Sequence, residues 1–136
     1  MVFLDANVLI YYLDETAEKN IEAVKLLQNI IDEQEQVVTS HHVIEEVLFV
    51  FSKLQPNVDL GKVVNRIGEI PGLILVEPSP NLVFAERYAS LSNNLKMGIN
   101  DALLLQIMLD AGIPSLFSYD KQFVGKANRL GIDKIV

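Results

Sequence analysis

The chain has 136 residues, half of them hydrophobic, with 11 Lys and Arg against 18 Asp and Glu, a formal net charge of −7 and no cysteine. These figures exclude a disulfide scaffold, a thiolate metal site and a disordered chain, and they argue against a generally basic nucleic-acid binder, because phosphate contact favours a basic face. The length fits one domain, residues 1–136, with a sizeable core, and the apolar excess suggests that a partner covers one surface.

The opening MVFLDANVLIYYLDE lacks a basic n-region and a cleavage site, so it reads as a mature N-terminus and not a signal peptide. No uninterrupted apolar run approaches the roughly 20 residues needed to span a bilayer, and a soluble cytoplasmic protein is expected. Val2 to Leu4 predict a buried strand that ends at Asp5, and Asn7 is expected to cap a helical turn from Val8 to Leu13. A helix from about Ala17 to Asp32 is predicted with Ile21, Val24, Leu27 and Ile31 inward. Val37 and Val38 form a second strand. Thr39 or Ser40 then caps a helix to about Leu54, with Val43, Val47, Val50, Phe51 and Leu54 on its inner stripe.

Pro56 and Asn57 break that helix, Asp59 to Ile70 form another, and Pro71-Gly72 turns into a third strand, Leu73 to Val76. A helix from Leu82 to about Leu91 is followed by a polar loop, Ser92 to Gly98. Asp101 opens an apolar helix that ends near Gly112. Ser115 to Phe117 make a fourth strand, a last helix stops at Gly131, and Lys134 to Val136 suit a fifth strand. Short apolar strands alternating with helices predict an α/β fold, a single-domain parallel β-sheet of about five strands flanked by α-helices on both faces. Ligands of such sheets sit beyond the carboxyl ends of the strands, at the switch in strand order. Asp5 follows the first strand directly, and Asp120 stands three residues past Phe117.

Four acids stand at apolar junctions: Asp5, Glu46, Asp101 and Asp120. Each has an ordinary explanation alone. Asp5 and Asp120 suit helix N-caps, Asp101 suits a first helical turn, and Glu46 suits a partly exposed helix position. Glu46 nevertheless flanks the inner stripe, on the other side of the helix from Glu45, and a carboxylate beside apolar surface calls for a cation. Together the four make an oxygen-donor cluster of the kind that holds Mg²⁺ or Mn²⁺, a cation that would lower the pKa of a water and stabilise displacement at phosphorus. His41 and His42 are neighbours about 100° apart on a helix and do not share a ligand geometry.

The sequence resembles the PIN-domain nucleases, and among them the VapC-type toxins of toxin–antitoxin pairs. FLDANVLIYYL resembles the first motif, with Asp5 its acid and Asn7 its supporting polar residue. SHHVIEEVLFV resembles the second, giving Glu46, and NDALLLQIMLDAGIPSLFSYDKQF the third and fourth, giving Asp101 and Asp120 with Ser118 before the last acid. GIDKIV suits the closing strand, so the resemblance spans essentially the whole chain. It implies a metal-dependent endoribonuclease that cleaves RNA through a metal-activated water, with Mg²⁺ or Mn²⁺ on the four acids, a homodimer, and an antitoxin partner. Three departures stand out: Ala6 replaces a frequent hydroxyl residue, Gln122 replaces an acid so that one metal fits more readily than two, and Glu45 beside Glu46 leaves a one-residue slip open.

Lys96, just before Asp101, is the candidate phosphate contact, beside its plain reading as a solvated lysine; Arg66, Arg87 and Lys121 read as surface charges. The main alternative is a catalytically silent PIN-like module that binds RNA or a partner. An aspartyl-nucleophile phosphatase would want an acid two residues after Asp5, where Asn7 stands, and a receiver domain would want paired acids there.

Overall fold

A computed structural model describes residues 1–135. The described residues form five strands and seven helices in alternating order. The strands are β1 (Val2–Leu4), β2 (Val37–Thr39), β3 (Ile74–Leu75), β4 (Ser115–Phe117) and β5 (Asp133–Lys134). All pair in parallel, in the order β3-β2-β1-β4-β5. The predicted fifth strand therefore begins one residue earlier, at Asp133, and its predicted last residue, Val136, lies outside the described residues. Every residue of β1 is buried, and residues alternate between faces along a strand, so helices cover both faces of the sheet centre. The edge strands β3 and β5 are short and exposed, which limits their capacity to pair with another chain.

The helices are α1 (Ala6–Leu13), α2 (Asn20–Asp32), α3 (His41–Leu54), α4 (Leu60–Gly68), α5 (Leu82–Leu95), α6 (Ile99–Ala111) and α7 (Lys121–Arg129). Side-chain oxygens cap several of them: Ser40 accepts from the Val43 amide, as expected, Asp59 from Lys62 and Asn81 from Phe84. Gly112 closes α6 in the left-handed conformation (φ 67°), which costs a glycine little. One continuous core joins β1, β2 and β4 to α1, α3 and α6, with Phe3, Leu4, Leu9, Leu105, Met108 and Phe117 among its fully buried side chains.

Three local expectations need correction. First, α1 is capped by Asp5, not Asn7, and starts at Ala6. Second, α2 turns a different face inward: Ala23, Leu27 and Ile30 are buried, whereas Ile21 is 82% and Val24 41% exposed. α2 packs on α1 and buries the small Ala23 fully, so the inner face is not the one that side-chain bulk alone picks out. On α3, likewise, Ile44 replaces Val50 and Leu54 in the buried set. Third, α5 runs through Ser92, Asn93 and Asn94 to Leu95, and Lys96 ends it at φ 52°. Leu95 packs on the core and the Ser92 hydroxyl donates to the Met97 carbonyl (2.7 Å), so tertiary contacts outweigh the weak helix propensity of the polar run.

Candidate active site

Chain order moves outward from β1 to β2 and β3, then returns to the other side of β1 for β4 and β5. The switch in strand order thus falls between β1 and β4, and the groove beyond their carboxyl ends is the place where such sheets bind ligands. The Asp5 amide donates to the Phe117 carbonyl (3.1 Å), which locks the two strand ends together just where the chain leaves both of them.

Asp5 is 5% exposed and held on both oxygens. Its Oδ1 accepts from the Ala6 amide (2.8 Å), and its Oδ2 accepts from the Ser118 hydroxyl (2.6 Å) and, weakly, from Asn7 Nδ2 (3.5 Å). Asn7 Nδ2 also reaches Ser118 Oγ (3.3 Å), while Asn7 Oδ1 accepts from the Tyr119 amide (3.1 Å). Ser118 Oγ in turn accepts from the Asp120 amide (3.1 Å). Asn7 and Ser118 therefore tie the end of β1 to the loop that carries Asp120. Burial pushes the Asp5 carboxyl above its ordinary range; the Ser118 and Ala6 hydrogen bonds oppose this, and the charge of Asp120 adds to it.

The other three acids come from helices or their caps. Glu46 is exposed on α3, yet partial burial, then the charge of Asp5, raise its pKa, with His42 acting the other way. Glu45 turns aside toward His41 and His42 (3.7 and 3.9 Å), so Glu46 is the member of the pair that faces Asp5. Asp101 lies in the first turn of α6, and burial, followed by the charges of Asp5, Asp120 and Glu46, lifts its pKa to about 6. Asp120 caps α7, its Oδ1 accepting from the Gln122 and Phe123 amides (3.0 and 3.2 Å). Asp120 and Asp5 are thus helix caps and also members of the acid group, so the two readings of each are compatible.

The fold brings Asp101 within reach of the charges of the other three acids, and Asp5 within reach of Asp120, Glu46 and Asp101, although among the described residues no three of them close into a ready-made ligand cage. That arrangement still fits Mg²⁺ or Mn²⁺ in donor chemistry. Mg²⁺ is commonly bound through one or two carboxylates, the remaining positions going to water and substrate phosphate. Desolvated like charges with raised pKa values are also the situation that a divalent cation relieves.

Lys126 of α7 is the neighbouring cation that the sequence did not flag. It lowers the pKa of Asp101, and its Nζ donates to the Lys96 carbonyl (2.6 Å). Lys96 itself is exposed at the end of α5, in a turn much shorter than the expected loop. The only signal for Lys126 was its place on α7 six residues after Asp120, and that has no meaning until α6 and α7 are docked.

The PIN domain family profile matches residues 2–128, and the chain belongs to the PIN-domain family. Among solved structures it is similar to VapC20 of Mycobacterium tuberculosis, described as a sarcin–ricin loop cleaving toxin, at 15% identity and a TM-score of 0.68, covering 92% of this chain and 94% of that one. It is also similar to FitAcB of Neisseria gonorrhoeae (17% identity, TM-score 0.69, 98% and 96% covered). A third is VapBC2 of Rickettsia felis bound to a promoter DNA fragment (16%, 0.67, 98% and 97%). No curated protein sequence matches the chain. At such low identities the solved structures speak to the fold, a parallel α/β sheet of PIN type.

Proposed function

We propose that the protein is a metal-dependent endoribonuclease of the VapC toxin type, with Asp5, Glu46, Asp101 and Asp120 as its catalytic acids. The observation that carries this reading is the placement of Asp5 and Asp120 just past β1 and β4 at the switch in strand order, with Asp101 of α6 within reach of both and of Glu46. Membership of the PIN family and the likeness to VapC20, a sarcin–ricin loop cleaving toxin, support the reaction class.

Asp5, Asp101 and Glu46 would hold Mg²⁺ or Mn²⁺, and Asp120 would contribute through Oδ2, since its Oδ1 serves the α7 amides. The bound cation would neutralise phosphate charge and acidify water. Ser118 and Asn7 fix the rotamer of Asp5, so its free lone pairs keep one direction. One of the four acids would orient or deprotonate the attacking water. Lys96 and Lys126, joined by the bond from Nζ to carbonyl, would meet the phosphate backbone beside Asp101. Bound metal and these lysines offset the net charge of −7 locally. The fold shared with the VapBC and FitAB complexes supports an antitoxin partner, and a homodimer in the cytoplasm is part of the same proposal.

Labelled RNA incubated with Mg²⁺ or Mn²⁺ tests the reading. Cleavage is expected with metal, none with EDTA, and none from Asp5→Asn or Asp101→Asn. Cleavage that ignored both substitutions would sink it.

A further inference from the structure

On the β5 side of the acid group lies a second concavity, with a volume of about 470 Å³, within the size range of ligand pockets. Its wall carries Lys19, Lys121 and Lys134, a single acid, Glu22, and the ring of Tyr119. In a chain of net charge −7 this is a local excess of positive charge. Two of its lining residues, Ser118 and Tyr119, belong to the network that orients Asp5. Lys121 follows Asp120 directly, so pocket and acid group adjoin along one stretch of backbone. Lys19 sits over the Tyr119 ring (4.6 Å), which packs against Tyr11 and Phe117 (ring centroids 5.3 and 5.5 Å), so the ring is fixed in place.

We propose that this pocket is a subsite for a nucleotide flanking the scissile phosphodiester of single-stranded RNA. The proposal rests on the nuclease reading above and adds where the strand is gripped. A strand whose phosphodiester lies at the acids continues past Asp120, and there it meets three ammonium groups instead of more carboxylates. The lysines take its phosphates. The apolar wall of Val124 and Gly125 accepts the face of a base, and Glu22 offers an acceptor for a base amine or a ribose 2′-hydroxyl, which a free phosphate would not use. An acidic peptide would gain from the lysines too, but it would leave that acceptor and the continuity with the acid group without a use.

The experiment is fluorescence anisotropy with a labelled ten-nucleotide single-stranded RNA in EDTA, across a salt series, so that binding is read with cleavage switched off. Lys19→Gln/Lys121→Gln/Lys134→Gln should raise Kd about tenfold or more and lower the salt slope by about 2, the value for three lost phosphate contacts on a single strand. The matching arginine triple should restore both. A control triple with the same charge change elsewhere, Lys25→Gln/Lys53→Gln/Lys62→Gln, should keep the slope. Gly125 lines the pocket, and a Cβ there would meet no atom within 4 Å. Gly125→Leu should therefore fill the space without touching charge, raising Kd several-fold at an unchanged slope, while helix propensity favours its folding. Equal effects of the two lysine triples, or none from either, overturn the subsite. So does RNA binding left intact while binding of a labelled glutamate decapeptide is lost. Failure of the nuclease reading would show separately, as absent cleavage by a protein whose pocket variants still lose RNA.

Discussion

The two halves of the acid group are built on different physical terms. Asp5 stands on the sheet, buried, with both oxygens engaged and its neighbours Asn7 and Ser118 tied to the β4 loop. Glu46 stands on α3, exposed, and is coupled to Asp5 only through its charge. Asp101 lies between these extremes, partly buried on α6 and sensing all three other acids. The sheet half is preorganised and has little freedom left; the helix half can adjust to what binds. A cation that takes water and phosphate into its shell suits this division, because one anchored carboxylate sets its place and the others adapt.

That comparison breaks most directly at the anchored half. Asp5→Asn and Asp101→Asn should each lower cleavage by about a hundredfold or more, measured as kcat/KM on a labelled RNA. Ser118→Ala leaves every acid in place and frees Asp5 Oδ2, so it should cost about 10- to 100-fold in metal affinity or activity, read by metal titration and by rate. Equal tolerance of Ser118→Ala and wild type would show that Asp5 needs no anchoring. On the adaptable side, Glu46→Gln should lose about tenfold in activity, less than the Asp5 variant, whereas Glu45→Gln should stay near wild type. The reverse order would move the site acid to Glu45.

The smallest effect is on stability and has a definite sign. Asp5, Glu46 and Asp101 have pKa values raised above those of the unfolded chain, so the folded state binds more protons and is favoured at low pH. For Asp101 that stabilisation is present below its ordinary value of 3.8 and is lost as pH rises through about 6. Metal-free protein should therefore melt lower at pH 7 than at pH 5, and Asp101→Asn should regain about 1 kcal/mol at pH 7, a figure reduced for partial solvation. Saturating Mg²⁺ should flatten that pH dependence, and metal affinity should fall below pH 6 as protons compete. Thermal melts with and without metal check both points.

Local chemistry made much of the molecule legible in the sequence. Continuous apolar triplets such as VFL marked strands buried on both faces, Pro and Gly placed the breaks, and Ser40 and Asp59 announced helix starts, because these preferences act over a few residues. The four acids stood out only as a set, since each alone has an ordinary reading as a cap, a first-turn acid or a helix-surface residue. What the chain alone left open were questions of phase and docking. The burial of Ala23 in place of Ile21 depends on how closely α2 meets α1, and the extension of α5 to Leu95 on a core contact that polar residues do not advertise. The arrival of Lys126 beside Asp101 and the lysine pocket past Asp120 both join residues far apart in the chain. Composition and spacing determined which groups are present and on which element each one stands. Packing of helices on the sheet decided which of them meet, since electrostatic and hydrogen-bond energies depend on distances that only the tertiary structure sets.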